Sequence, residues 1–191
     1  MKKFHALSVA IAIFAALFLA STAVAQEVAV AAADGTQEVP AISTSGGAIF
    51  IGSISDDLSQ IIYQVQYQRT RGTVLQSHIH IGQPGVNGGI MLFVCTNLGN
   101  GPADTPPCPT PGGTVNGVWT AGDIVAVPNQ GIGGGPASLR RAINAMRAGV
   151  AYLNIHTDMH PAGEIRGGVS VLSGKSELSA VLGDIDGLEL P

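Results

Sequence analysis

The sequence predicts a mainly β protein: an antiparallel Greek-key sandwich or barrel with one short helix. Three observations predict it. Apolar and polar residues alternate at period two in one short stretch after another, the mark of half-buried strands. The 26 glycines and 11 prolines punctuate the chain with turns. One uninterrupted stretch, residues 139–148, repeats its apolar positions at helical spacing, with Leu139, Ala142, Ile143 and Met146 on one stripe and Gly149 as a stop.

The elements follow in order after the first 25 residues are set aside. Lys2 and Lys3 precede an apolar run over 6–20, and Ala23-Val24-Ala25 stands before Gln26, the layout of a secretory signal peptide over 1–25. The competing reading, an uncleaved anchor, needs about 20 apolar residues and the run is shorter, so no membrane span is expected after cleavage. The remaining 166 residues suit one domain over 26–172. Strands are expected over 27–33, 47–54, 60–68, 74–81, 89–94 and 114–120. In the third, Ile61, Tyr63, Val65 and Tyr67 share one face while Ile62, Gln64, Gln66 and Gln68 share the other. The segment 123–127 is too short to assign, and the glycines of 129–135 read as a linker into the helix. Arg140, Arg141 and Arg147 fall off its apolar stripe and are expected in solvent. Strands over 150–156 and 163–172 close the system. Residues 173–191 read as a peripheral or partly disordered tail, because Gly183 and Gly187 interrupt the stripe of Leu178, Val181, Leu182 and Ile185.

Without the leader, 7 basic side chains stand against 13 acidic ones, a net charge of −6 with histidine neutral. Phosphate binding needs a basic stripe, and none is present, so a nucleic-acid partner is not expected. Cys95 and Cys108 are the two cysteines, and in an oxidising compartment a disulfide is the default reading. It would close a Pro- and Gly-rich loop with no periodic pattern of its own.

The four histidines after the leader come in two pairs, His78 with His80 and His156 with His160. Strand residues two apart face the same way, with Cα atoms roughly 6.5 Å apart, which suits two imidazoles on one cation. His156 would complete a three-nitrogen set if its strand lay beside that of His78, with His160 a possible fourth ligand. Three imidazoles suit copper or zinc. The plainer reading has them bonded to backbone and solvent near turns. Glu164 and Arg166, also two apart, read first as an exposed charge pair. In a functional reading, Arg166 draws an anion towards a metal, or Glu164 orients a ligand imidazole from outside the ligand shell. A phosphate loop, a serine hydrolase and a cysteine nucleophile all lack their motifs.

Three stretches together resemble the chordin-type, or CHRD, domain: Gly35-Thr-Gln-Glu-Val-Pro40, His78-Ile-His-Ile-Gly-Gln-Pro-Gly-Val86, and Ala151-Tyr-Leu-Asn-Ile-His-Thr157 running on to Pro161-Ala-Gly-Glu-Ile-Arg-Gly167. The resemblance covers about residues 28–172 in the family's order. It implies a single extracellular β-sandwich, immunoglobulin-like or similar to the copper-zinc superoxide dismutase barrel, with no established enzymatic activity. The order His78, His80, His156, Arg166 is also similar to the copper histidines and arginine of that dismutase, although a zinc loop and a bridging histidine are missing. The first expectation is therefore a secreted, periplasmic or extracellular module, non-enzymatic, that binds an extracellular protein or matrix partner or a metal ion. The second is a copper enzyme of the superoxide-dismuting kind using His78, His80 and His156. A structural envelope or matrix protein is the third.

Overall fold

The computed structural model describes residues 26–173, so the leader and all but the first residue of the expected tail lie outside the described residues. Nine strands are present: β1 (Glu27–Asp34), β2 (Gly47–Ile54), β3 (Ile61–Gln68), β4 (Val74–Ile81), β5 (Gly89–Thr96), β6 (Gly113–Trp119), β7 (Ala151–Thr157), β8 (Ile165–Gly168) and β9 (Ser170–Ser173). One helix, α1 (Ser138–Arg147), lies between β6 and β7. All pairs are antiparallel, in the order β5-β4-β7-β8-β1-β2-β3-β6, with β9 on the first half of β1. The expected mainly β antiparallel fold with one short helix forms, and of the sandwich and barrel expected it takes the form of a nearly closed barrel. Its crossings from β3 to β4 and from β5 to β6 carry the chain between the two ends of the sheet.

Alternation builds the core as expected. Ile61, Tyr63, Val65 and Tyr67 of β3 are buried while Ile62, Gln64 and Gln66 are exposed, because successive side chains leave a strand on opposite faces. Where β5 and β6 approach, side chains take the place of a strand ladder. The Tyr63 hydroxyl donates to the Val94 carbonyl at 3.0 Å and the Trp119 indole N–H to the Phe93 carbonyl at 2.8 Å. The two rings stack at 3.9 Å. Cys95 and Cys108 form the expected disulfide and fasten the loop after β5 to the same seam.

The helix lays Leu139, Ala142, Ile143 and Met146 into the core, and Gly149 takes the positive φ that ends it. Arg140 and Arg141 are exposed as expected. Arg147 is not simply solvated, since its guanidinium meets the Glu27 carboxylate at 2.5 Å and ties α1 to β1. Being about a third exposed, this pair contributes at most about 1 kcal/mol.

Two expectations need correction here. Residues 163–172 are not one strand: β8 lies between β7 and β1, the chain breaks at buried Val169, and β9 then runs along β1. The break falls where the pairing with β7 ends. Residues 129–135 are more than a linker. Ile132 is buried and bridged to Val127, and the Gln130 side chain accepts from the Gly89 N–H at 2.8 Å and donates to the Ile81 carbonyl at 3.1 Å, closing the β4–β5 hairpin.

The disulfide loop yields a stability prediction. Replacing both cysteines, Cys95→Ala with Cys108→Ala, should lower unfolding free energy by ~3 kcal/mol from loop entropy. Urea midpoints at constant transition slope will show it, with the far-ultraviolet spectrum unchanged before unfolding.

Candidate metal centre

The register between β4 and β7 builds the site. Gln76 stands opposite His156, His78 opposite Asn154 and His80 opposite Tyr152. Ser77, Ile79, Leu153 and Ile155 between them are fully buried towards the barrel core, so the alternate residues, including all three histidines, lie on the outer face. Loops cover that face: His78, His80 and His156 are 0%, 7% and 7% exposed.

One ring nitrogen from each of the three lies within 4.8 Å of those from the other two. His80 Nδ1 bonds the Gly88 carbonyl at 3.0 Å and His156 Nδ1 the Pro161 carbonyl at 3.1 Å. A carbonyl only accepts, so each Nδ1 carries the proton and each Nε2 presents its lone pair. Neither Nε2 has a protein partner, and neither ring nitrogen of His78 has one. The His78 ring is walled by the edges of Phe93 at 4.4 Å, His156 at 5.0 Å and His80 at 5.3 Å. Buried polar atoms are normally satisfied, and three lone pairs converging without a donor fit a cation. Metal–nitrogen bonds of about 2.0–2.1 Å need only modest inward shifts of the rings.

Burial keeps these rings neutral. Desolvation, reinforced by the neighbouring His156 and His80, pushes His78 down to about 2. Desolvation also takes His80 down to about 4 against the raising effect of the Gly88 carbonyl, and lowers His156 against that of Pro161. Neutral imidazole is the form that ligates metal.

The remaining expected residues fall elsewhere. His160 is outside the cluster; its backbone N–H bonds the Thr157 hydroxyl at 3.2 Å. Glu164 and Arg166 are not an exposed charge pair but 0% and 3% exposed, each with its own partners. The Glu164 carboxylate accepts from Thr44 Oγ1 at 2.6 Å, from Thr157 Oγ1 at 2.9 Å and from the Arg71 N–H at 2.8 and 3.0 Å. It therefore anchors the loop that carries Pro161 and does not touch an imidazole; backbone carbonyls orient the ligand rings. Loops fold over this face and bury both charges, which strand periodicity alone does not reveal. Arg166 donates to the Asn87 side-chain oxygen at 2.9 Å and to the carbonyls of Gln83 and Val86 at 3.2 and 2.7 Å, and lies 3.5 Å over the Tyr152 ring.

The structure adds residues that the sequence reading gave no role. Tyr152 stacks on His80 at 4.8 Å. Together with Asn154 and His156 it occupies alternate positions on β7, a period-two signal visible in the sequence. Glu38 lies in the Gly35–Pro40 motif but was given no role there: it is 7% exposed and reaches the site through the fold. Its Oε2 meets the Asn154 amide at 3.5 Å, and its Oε1 and Asn154 Oδ1 are both without partners. Both oxygens crowd Gly163, where a Cβ would lie 2.6 Å from each. Burial raises the Glu38 carboxyl to about 7, against the lowering effects of a Val39 backbone bond, the Arg166 charge and Asn154.

The family model of the CHRD domain matches residues 29–169. No curated protein and no solved structure matches the chain. Likeness to superoxide dismutase is therefore carried only by the order of the residues.

These shifts set the pH dependence of the metal-free protein. The histidines have folded values below the unfolded 6.5, so their contribution is complete above about pH 6.5 and is lost as pH falls towards 4. Glu38 has the opposite sign: complete below about pH 4.5, its contribution is lost as pH rises through 7. Urea midpoints between pH 4 and 8 should show His78→Gln flattening the acid limb and Glu38→Gln flattening the loss from 4.5 to 7.

Proposed function

This chain belongs to the CHRD-domain family, and from that premise we propose an exported, non-enzymatic binding module whose His78, His80 and His156 hold a copper or zinc ion. The observation that carries the reading is the convergence of three buried ring nitrogens that no protein donor satisfies. Imidazole nitrogen suits both ions, and the ion would supply the positive charge that the three lone pairs lack. The protein's part is to hold tautomer and direction: the Gly88 and Pro161 carbonyls fix His80 and His156, and Phe93 and its partner rings confine His78.

Retention of an ion is favoured over turnover for a geometric reason. Catalytic metal sites keep a position open to substrate, whereas the unpartnered nitrogens here are closed off from solvent. Arg166 spends its terminal nitrogens on Asn87, Gln83 and Val86. Export is supported by the Cys95–Cys108 disulfide, which suits an oxidising compartment, and by the signal-like leader. A second reading, a superoxide-dismuting copper enzyme, draws on the same nitrogens with Arg166 as the guiding cation. The partner is an extracellular protein or matrix component, met through an exposed sheet face or Gly-rich loop.

Elemental analysis and copper paramagnetic resonance on the mature protein, exported through an oxidising compartment without a histidine tag, test the site. Near-stoichiometric copper or zinc that disappears in His78→Ala and His156→Ala is expected. Thermal stability should rise on loading, by about 2.7 kcal/mol at a hundredfold excess over the dissociation constant. No uptake at micromolar metal would sink the metal reading. Loaded protein is expected to leave superoxide loss at its background rate, and acceleration abolished by His80→Ala would instead establish the enzyme.

A further inference from the structure

The loop from Gly82 to Gly88 lies against the His80 side of the histidine cluster, and side chains of the site itself hold it down. Its last residue is gripped through both backbone groups: the Gly88 N–H donates to the Tyr152 hydroxyl at 3.1 Å, and the Gly88 carbonyl accepts from His80 Nδ1 at 3.0 Å. The apex is gripped by the Arg166 guanidinium, which reaches Gln83, Val86 and Asn87. The Asn87 amide continues the contact to the Val39 carbonyl at 3.2 Å. Arg166, Tyr152 and His80 form a chain of ring and guanidinium contacts, at 3.5 Å and 4.8 Å, so the group that holds the apex also packs on the ring beside a ligand imidazole.

The loop is shaped to be held in this way. A Cβ on Gly88 would lie 1.6 Å from the Ile81 carbonyl oxygen, so its stem closes only with glycine. Gly85 at its apex has a φ of 76° and open space around it, and neighbouring Val86 is 48% exposed. Beside the loop, an open cleft of about 390 Å³ is lined by Gly82, Pro84 and Gly85 together with Glu38, Tyr152 and Arg166, and by none of the three histidines. The loop is thus a glycine-rich segment fastened at its apex largely through one buried cation. Arg166 has no carboxylate partner within salt-bridge distance among the described residues; its donors go to this loop.

We infer that Arg166 is a positioning residue that latches the 82–88 loop over the triad and so sets how fast a bound ion leaves. This inference rests on the metal reading above. An ion held by His78, His80 and His156 exchanges when the loop lifts, because lifting frees the Gly88 carbonyl from His80 and uncovers the cluster. Arg166 acts through the loop and Tyr152 and does not itself touch the ion.

The test uses the full mature chain loaded with copper or zinc and follows metal transfer to excess chelator in stopped flow. Arg166→Gln should accelerate release at least about tenfold, since hydrogen bonds to a charged group are lost. Asn87→Ala, an exposed loop position, should accelerate it a few-fold with the metal-free unfolding midpoint close to wild type. Asn87→Asp keeps an oxygen for Arg166 and should restore slow release. Paramagnetic resonance of the copper form should be unchanged in Asn87→Ala, because the ligand rings remain. Should Arg166→Gln fail to fold, the two Asn87 variants decide the matter. Wild-type protein that loads yet releases no more slowly than Asn87→Ala overturns the latch alone. Wild-type protein that takes up no ion overturns the metal reading and the latch with it.

Discussion

Antiparallel pairing of β4 with β7, in one register from Gln76 to Ile81, is the constraint on which the rest of the structure depends. It sets His78 beside Asn154, His80 beside Tyr152 and Gln76 beside His156. Because strand side chains alternate, a slip of one residue would turn Ile79, Leu153 and Ile155 out of the core and the imidazoles into it. The core therefore enforces the register, and the register enforces the cluster. Neighbouring pairings extend the same patch, with Arg166 opposite Asn154 on β8 and Phe93 opposite His78 on β5.

Burying this patch costs free energy that a core of apolar residues would not require. Unpartnered polar atoms in a low-dielectric setting are expensive, and the histidines respond by staying neutral. Glu38 responds in the same way from the opposite side, its carboxyl driven up by desolvation. Between them the satisfied groups do the organising. Glu164 collects Thr44, Arg71 and Thr157 into one anchor beneath the 157–163 loop, and Arg166 collects the 82–88 loop. The two buried charges are thus spent on loops that roof the site, and backbone carbonyls from those loops orient the imidazoles. A centre closed in this way suits retention of an ion more than passage of substrate.

Much of this was legible in the sequence. Period-two alternation gave the strands and their inner faces, as in Ile61, Tyr63, Val65 and Tyr67. One helical stripe gave α1, and two cysteines behind a signal-like leader gave the disulfide. Three separated motifs gave the family, and the spacing of His78 and His80 with the lateness of His156 gave the candidate site. These signals are local: they depend on a residue and its near neighbours, or on the order of short motifs along the chain. Nothing local distinguished the single expected strand over 163–172 from the two that form, because the break falls where pairing with the distant strand β7 ends.

What only the tertiary structure decided was how distant segments meet. Glu164 and Arg166 look like a surface pair, since two charges at strand spacing carry no record of the loops that will cover them. Glu38 lies 116 residues before Asn154 and meets it only when the Gly35–Gln37 turn folds over β7. His160, in the turn after β7, is not part of the cluster, while Tyr152 and Phe93 enter because register brings them alongside. The sequence by itself determined the periodicities, the strand faces and the inventory of ligands. The tertiary structure decided which of those ligands converge, how deeply they are buried and what holds the roof, because long-range pairing and desolvation are properties of the folded chain and of no segment within it.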